Sequence, residues 1–469
     1  MKATRMARWA LMAVVMVLGL ATWATAQEAA PAAPAVSSGD TAWILASAAL
    51  VMMMTAPGLA LFYGGLVSQR NMLATLMQSF FLLCLISVQW VVVGYSLSFG
   101  GDHGGLIGGL DFFLFNNVGQ DPLTGQTIPH LAFAIYQGMF AVITPALITG
   151  AFAERMRFPA FVLFSLLWAT LIYDPLAHWV WGGGWLMKAG ALDFAGGTVV
   201  HISSGVSALV AAIVMGRRLG YPKSVAPPHS LTLTLVGGAL LWFGWFGFNA
   251  GSALGSGGLA ASAFVTTNTA AAVCGLAWVT IERYHRGKAT VLGAVTGAVA
   301  GLVAITPAAG YVTVGSSLLI GIGCAIVCYL GCNFLKARFG YDDSLDVFGV
   351  HGLGGTWGAI ATGIFATKAV NPAGADGLLA GNPGQVLTQL IGVGAGWGLA
   401  IVGTFVLLKL VGLITPLRVT DEDEIAGLDI SQHGEVAYHL PGSGALPIPH
   451  AASQKEESAK GPVPAQLLV

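Results

Sequence analysis

The chain has 469 residues, 55% of them hydrophobic and only 9% charged, with a mean hydropathy of +0.76. Soluble domains carry about 25% charged residues, so this composition excludes a set of ordinary soluble domains and places the chain in a membrane. Lys and Arg total 20 against 21 Asp and Glu, a formal net charge of −1, which gives no basic excess for a nucleic-acid partner.

Residues 1 to 26 carry Lys2, Arg5 and Arg8, then the apolar run Trp9 to Leu20, then Ala24-Thr25-Ala26. A basic start, a short hydrophobic core and a small-residue site read as a cleaved signal peptide, which sets the mature N-terminus outside. An Ala/Pro-rich extracytoplasmic spacer, 27–40, follows. A helix needs about 20 apolar residues to cross the hydrocarbon core. Eleven segments of that kind follow in order, at roughly 41–66, 71–99, 129–153, 158–179, 196–216, 230–250, 258–281, 289–306, 310–335, 347–367 and 386–413. They predict an all-α polytopic membrane protein with a transmembrane domain over 41–414. The tail 415–469 is polar, and its Pro/Gly/Ala/Ser-rich end after about 440 is expected to be disordered.

Basic residues stay cytoplasmic in short loops. With the N-terminus outside, Arg70, Arg155, Arg157, Arg217, Arg218, Lys223, Arg283, Arg286, Lys288, Lys336, Arg338 and Arg418 all fall inside, and only Lys188 and Lys368 fall outside. An odd number of spans then leaves the C-terminus in the cytoplasm. In the eighth segment Gly293, Gly297 and Gly301 recur every fourth residue, a spacing that lets helices approach closely in lipid. Cys324, Cys328 and Cys332 share that period and are read as small packing residues rather than a metal or redox face.

Two stretches break the apolar pattern. Asp193-Phe-Ala-Gly-Gly-Thr-Val-Val-His201 places a carboxylate and an imidazole in the fifth segment; 150 positions later Asp343 and His351 repeat the spacing in the tenth, with Val200/Val350 and Gly205/Gly355 also matched. The fifth segment runs inward and the tenth outward, the mark of an inverted repeat of segments 1–5 and 6–10 with a site near the midplane. At ~1.5 Å per residue, eight positions bring each histidine up to ~12 Å along its helix, and so towards the other. Ionisable groups inside a membrane are costly and mark pathways. Two neutral imidazoles can share one hydrogen bond, line a pore or pass a proton. Asp193 and Asp343 read as caps at helix starts, with direct contact to a cation as the other reading for Asp193.

Further strings carry a resemblance: Pro57-Gly-Leu-Ala-Leu-Phe-Tyr-Gly-Gly65, Ala151-Phe-Ala-Glu-Arg155, His178-Trp-Val-Trp-Gly-Gly-Gly184, Gly244-Trp-Phe-Gly-Phe-Asn-Ala-Gly-Ser252, Asp346-Val-Phe-Gly-Val-His-Gly352 and, in the tail, Gly427-Leu-Asp-Ile-Ser-Gln-His-Gly-Glu435. In this order they resemble the ammonium transporter (Amt/Mep/Rh) family, bacterial Amt type, over essentially the whole mature length. The resemblance implies that Trp181, Phe140 and Ser252 form an outer ammonium-binding site, and that Phe140 and Phe248 are stacked rings closing the pore. It assigns pore lining or proton passage to His201 and His351, and shaping of the substrate site to Asp193. Tyr136 stands where the family usually has Phe, so a hydroxyl is expected beside that site. Asp343, Asn249 and Trp245 are expected to support the structure. No cofactor or metal is implied. The expected partners are ammonium or ammonia, with methylammonium as a further candidate substrate, the lipid bilayer, two further copies in a homotrimer, and a PII-type signalling protein at the cytoplasmic face of a bacterial inner membrane.

Taken singly, Phe140 and Phe248 also read as core aromatics, Trp181 as an interfacial belt residue, and Asn249 and Ser252 as groups that satisfy helix ends. Two other functions fit parts of the chain. One is a transporter-like ammonium sensor, against which a tail of roughly 50 residues is too short and too poor in apolar residues for a signalling domain. The other is a membrane metalloenzyme with His178, His201, His351 and Asp193 as ligands, against which no spacing sets two histidines on one helix face.

Overall fold

A computed structural model describes residues 35–438. The signal-peptide reading, most of the spacer and the expected disorder after about 440 lie outside the described residues. Eleven long helical runs form the body: α1 Ser38–Leu66, α2 Gln69–Phe99, α3 His130–Phe152, α4 Phe158–Lys188, α5 Gly197–Met215, α6 Leu231–Ala250, α7 Gly258–Arg286, α8 Val291–Ile305, α9 Val314–Phe339, α10 Leu353–Phe365 and α11 Gly384–Ile414. Nine of these, among the described residues, are long and apolar enough to cross a membrane; α8, with 15 residues, and α10, with 13, fall short. The sequence reading made both full spans. The expected segment 289–306 takes in Thr290, which caps α8, and 347–367 takes in the wide turn Phe348–Gly352 that leads directly into α10.

Helix starts follow side-chain chemistry. Ser37, Ser230, Thr290 and Thr313 each accept a hydrogen bond from an amide in the first turn of α1, α6, α8 and α9, satisfying donors that have no intrahelical partner. Helix ends run further than hydropathy suggests. Arg283 and Arg286 lie in the last turn of α7, and Lys336 and Arg338 in that of α9, where loops were expected. Cations are favoured at helix C-termini, so the helical hydrogen bonds continue past the apolar stretch.

The Gly293, Gly297 and Gly301 stripe of α8 lies against α7. A Cβ on Gly297 would come within 2.5 Å of Trp278 Cβ, and one on Gly301 within 2.6 Å of Cys274 Cβ. Cys324 and Cys328 are fully buried at the same level, with Cys324 Sγ 3.1 Å from the Ala300 carbonyl. The rim is apolar and exposed, as at Leu276 (67%) and Ile213 (62%), an apolar surface suited to lipid contact.

Between α2 and α3 the chain leaves the helices for a small antiparallel pair, β1 Asp102–His103 and β2 Ile107–Gly108. At the opposite end two short helices, α12 Asp421–Ala426 and α13 Leu428–His433, dock onto the body. Asp429 accepts from the Leu73 and Ala74 amides (3.0 and 2.8 Å), capping α2, while Asn71 accepts from the Leu428 amide at 2.7 Å.

Candidate functional site: the paired histidines and the aromatic mouth

Asp193 sets the position of α5. Its Oδ1 accepts the Gly196 and Gly197 amides at 2.8 and 2.6 Å, and its Oδ2 those of Thr198 and Val199 at 2.8 and 3.2 Å. One carboxylate thus takes up four amides that a helix start leaves unpaired, and its charge sits at the positive end of the helix dipole. The same residue's carbonyl accepts the Trp181 indole N–H at 2.9 Å, which ties the mouth of the site to the helix start. This geometry is that of the capping reading. Asp343 serves the second segment more lightly: one oxygen accepts the Phe348 amide at 2.8 Å, the Val347 amide also acts on the carboxylate, and among the described residues Oδ1 has no hydrogen-bond partner.

His201 and His351 meet. Their Nδ1 atoms are 3.2 Å apart and their ring centroids 5.2 Å, within reach of one N–H···N hydrogen bond between neutral rings. Each sits in a wide, π-type helical turn, Gly197–Ile202 or Phe348–Gly352, the kind of local widening that re-aims side chains at functional sites. Glycine lets the two segments cross. A Cβ on Gly355 would lie 3.0 Å from His201 Cβ, and one on Gly205 would lie 2.7 Å from the carbonyl carbon of His351 and collide with the Gly352 amide.

The His201 ring stacks on Trp245 (centroids 5.4 Å, 26°) and on Phe248 (6.0 Å, 25°). Trp245 is itself fixed by its N–H to Thr306 Oγ1 at 2.9 Å. Phe248 lies in a third wide turn, Phe246–Ala250, and tilts against Phe140 at 4.2 Å between centroids. Beyond Phe140 comes Trp181, edge-on at 6.0 Å. Trp181, Phe140, Phe248, His201 and His351 therefore form one continuous file. The narrow cavity at the histidines is lined, apart from the two imidazoles, by apolar side chains, among them Met54, Ile143, Leu147 and Val299.

Tyr136 packs edge-on against Phe140 at 5.0 Å, but its hydroxyl is occupied. It lies 3.0 and 2.8 Å from the carbonyls of Gly247 and Phe248 and 3.1 Å from Ser252 Oγ. Those bonds brace the turn that carries Phe248. Ser252 in turn donates to the Phe248 carbonyl at 2.9 Å, and Asn249 donates to Thr267 Oγ1 at 3.0 Å.

The metalloenzyme constellation does not assemble. His178 sits between the Ser98 carbonyl and Asp102, 3.0 Å from each, while Asp193 is spent on amides. Among the described residues no group of three or more His, Cys, Asp or Glu is placed to hold a metal.

One cluster has no counterpart in the sequence reading. Arg218 bonds Asp342 through two nitrogens, at 2.9 and 2.8 Å, and Glu154 through a third at 2.7 Å. The buried Arg155 donates to Ser344 Oγ at 2.7 Å and to the Asp342 carbonyl at 2.6 Å. Burial pushes the Glu154 and Asp342 carboxyls up, but the Arg218 guanidinium, helped by the Ser68 amide at Glu154 and by Arg155 at Asp342, outweighs it and leaves both below the usual carboxylate range. The signal available was Glu154-Arg155 between two apolar helices, a pair of opposite charges too deep for a solvated loop.

The comparisons agree with this picture. Residues 42–438 match the model of the Ammonium Transporter Family. The ammonium transporter of Bacillus subtilis is 55% identical over 401 residues, covering 85% of this chain and 98% of that one. Ammonium transporter Amt1 of Archaeoglobus fulgidus is 50% identical over 403 residues, covering 86% and 100%. Among solved structures, Saccharomyces cerevisiae Mep2 superposes with a TM-score of 0.79 at 37% identity, covering 87% of this chain and 93% of that one. A structure named a sensor Amt protein gives 0.78 at 29% identity, covering 84% and 98%. The chain is a multi-span membrane protein of the ammonium transporter family.

Proposed function

We propose that the protein transports ammonium by recruiting NH4+ at a mouth formed by Trp181, Phe140, Ser252 and the ring of Tyr136, removing a proton there, and passing NH3 along the file behind it. The observation that carries this reading is the pair of imidazoles, 3.2 Å apart, set in an otherwise apolar cavity behind two packed phenyl rings. An aromatic face favours a cation by ~0.5 to 2 kcal/mol. Desolvating an ion costs several kcal/mol even after relaxation, so an apolar passage favours the neutral molecule. Potassium has no proton to give up, which supplies selectivity without a size filter. The released proton returns to the outside or crosses separately by His201 and His351; in the second case transport carries charge.

The same reading places all eleven helical runs across the bilayer, with helices 1–5 and 6–10 as an inverted repeat, Trp181 facing outward and the docked tail facing the cytoplasm. The distribution of Arg and Lys supports that orientation. A homotrimer with one pore per protomer in the inner membrane of a bacterium, and a PII-type protein on the tail face, complete the proposal; co-purification from membranes under nitrogen limitation and sufficiency tests the last.

The test of transport is current and interior alkalinisation in proteoliposomes given ammonium or potassium. His201→Ala with His351→Ala should lower the ammonium response by about tenfold or more, a loss of ~1.4 kcal/mol of barrier stabilisation, and erode selectivity over potassium. Unchanged current and selectivity in the double variant would overturn the scheme. Sensing is the second reading, favoured by the likeness to the sensor Amt protein; a chain that binds ammonium but moves neither ammonia nor charge would support it.

A further inference from the structure

The two aspartates of the paired segments are used unequally, and the difference points to a function for one of them. Asp193 spends both oxygens on four amides, whereas Asp343, 1% exposed, spends one oxygen on the Phe348 amide and, among the described residues, leaves Oδ1 without a hydrogen-bond partner. A carboxylate retained only as a cap gains nothing from a buried bare oxygen, which carries a desolvation penalty. A proton on that oxygen removes the penalty.

Placement supplies the rest. His351 lines both the narrow cavity and a wider one of ≈ 370 Å³ that extends towards the tail end, where Tyr63, Lys336, Ser344 and Asp346 line it as well. Asp343 precedes Ser344 in the loop that forms this wall and is buried directly behind it. The charged and titratable groups that act on it are Lys336 on α9, Asp346 in its own loop, Arg155 between α3 and α4, and Tyr63, Tyr341 and Cys332 around it. From this asymmetry we propose that Asp343 is the proton-release group of the inner mouth, taking the proton that has crossed by His201 and His351 and handing it to the vestibule; the proposal rests on the charge-carrying form of the transport reading above.

Burial pushes the Asp343 carboxyl up to about 6, against the pull of Lys336 and with a push from Asp346, so both of its forms are populated near neutral pH. In the step itself, an O–H bond of a hydronium formed at protonated His351 breaks and leaves its electron pair behind. A lone pair on Oδ1 forms the new O–H bond. That bond then breaks, its pair stays on the carboxylate, and ammonia or water in the vestibule takes the proton on its own lone pair. Nothing is oxidised or reduced.

Asp343→Asn tests this, because the amide oxygen still accepts the Phe348 N–H while the side chain no longer exchanges a proton. Wild type, D343N and D343E are compared in proteoliposomes by ammonium-evoked current and by alkalinisation of an enclosed pH dye, which reports ammonia entry. The expected result is a fall in the ratio of current to ammonia entry of about tenfold in D343N, with partial recovery in D343E. Current and ammonia entry falling in proportion would assign Asp343 a purely structural role, and an unchanged ratio would equally overturn the proposal. A wild type that admits ammonia without any current would remove the proton route itself, a failure of the transport reading visible before any variant is made. Should D343N not insert, D343E decides the matter. The dependence of its current on interior pH should be displaced from wild type, and an identical dependence would sink the proposal.

Discussion

Gly205 and Gly352 pass each other backbone to backbone: any Cβ on Gly205 would collide with the Gly352 amide nitrogen and lie 2.5 Å from its Cα. This crossing, with Gly355 against His201, holds the two imidazoles 3.2 Å apart. The neighbour is backbone on a buried helix, so it cannot yield by a rotamer change. Gly205→Ala should therefore cost at least the ~1–3 kcal/mol typical of overpacking and, by separating the histidines, lower ammonium current by about tenfold or more, as their removal should. Thermal unfolding in detergent, paired with current recordings, checks both. Gly394→Ala, where an added Cβ meets nothing within 4 Å, is the control and should change neither.

How far the site could be read from residues alone varied with the kind of signal. The histidines were legible because an ionisable group in an apolar run is conspicuous, and their twin spacing from Asp193 and Asp343 pointed each towards the other; the close crossing at Gly205 and Gly355 was not legible from the match of those positions alone. Phe140 and Phe248 were legible only by resemblance, since a phenyl ring in a membrane span has no local mark of function; their 4.2 Å packing depends on a wide turn that no periodicity reveals. The Arg218 cluster was not legible as a cluster. Its members lie 64 and 124 positions apart, and each alone resembles an ordinary loop charge. Each of the eleven expected segments meets a helical run, because apolar length is a direct signal, but their edges were less legible: Thr290 caps α8 from outside it, and α7 and α9 continue past their apolar stretches to Arg286 and Phe339.

Trp181 combines two functions that one substitution separates. Its ring is the aromatic face proposed to receive ammonium, and its N–H is held by the Asp193 carbonyl at 2.9 Å. Losing a cation–π contact of ~0.5 to 2 kcal/mol corresponds to a ~2- to 30-fold rise in the half-saturating ammonium concentration. Trp181→Leu should show that rise in current against concentration, while Trp181→Phe, which keeps a face but not the N–H, should show a smaller one. Equal half-saturation in all three proteins would exclude Trp181 from recruitment.

Tyr136 places its hydroxyl beside Ser252, at 3.1 Å, but not free for substrate. Its hydroxyl instead bonds the carbonyls of the turn carrying Phe248. Tyr136→Phe keeps the ring against Phe140 and loses about one hydrogen bond, worth ~0.5–1.5 kcal/mol. The expected outcome is a lower unfolding temperature with half-saturation changed by less than about twofold, a shift below ~0.5 kcal/mol. A large affinity change with unaltered stability would reverse the assignment and return the hydroxyl to the substrate.

The Arg218 cluster joins the turn between α3 and α4, the turn after α5 and the loop before the His351 segment, so its failure should loosen the face on which the tail docks. Its side chain is 10% exposed, Glu154's is 11% and Asp342's is fully buried, which sets it apart from surface pairs of little worth. Arg218→Ala removes the cation that bridges the two carboxylates, leaving Asp342 only Arg155 at 4.0 Å, and removing one partner of a buried pair costs ~3–5 kcal/mol. Arg218→Lys should recover only part, since an ammonium cannot hold Asp342 through two nitrogens and reach Glu154 as well. The pH dependence has a definite sign. Burial raises both carboxyls and Arg218, helped by the Ser68 amide and Arg155, more than offsets it, so their folded values lie below the unfolded ones. Their contribution is therefore complete above the unfolded carboxylate range, ~4, and is lost as the pH falls through the folded values. Unfolding temperature in detergent should be flat in this respect from neutral pH to about 5 and fall below about 4, and the fall should be shallower in R218A, where the carboxylates no longer have the bridging cation to lose. An equally steep fall in R218A would show that other carboxylates govern acid stability.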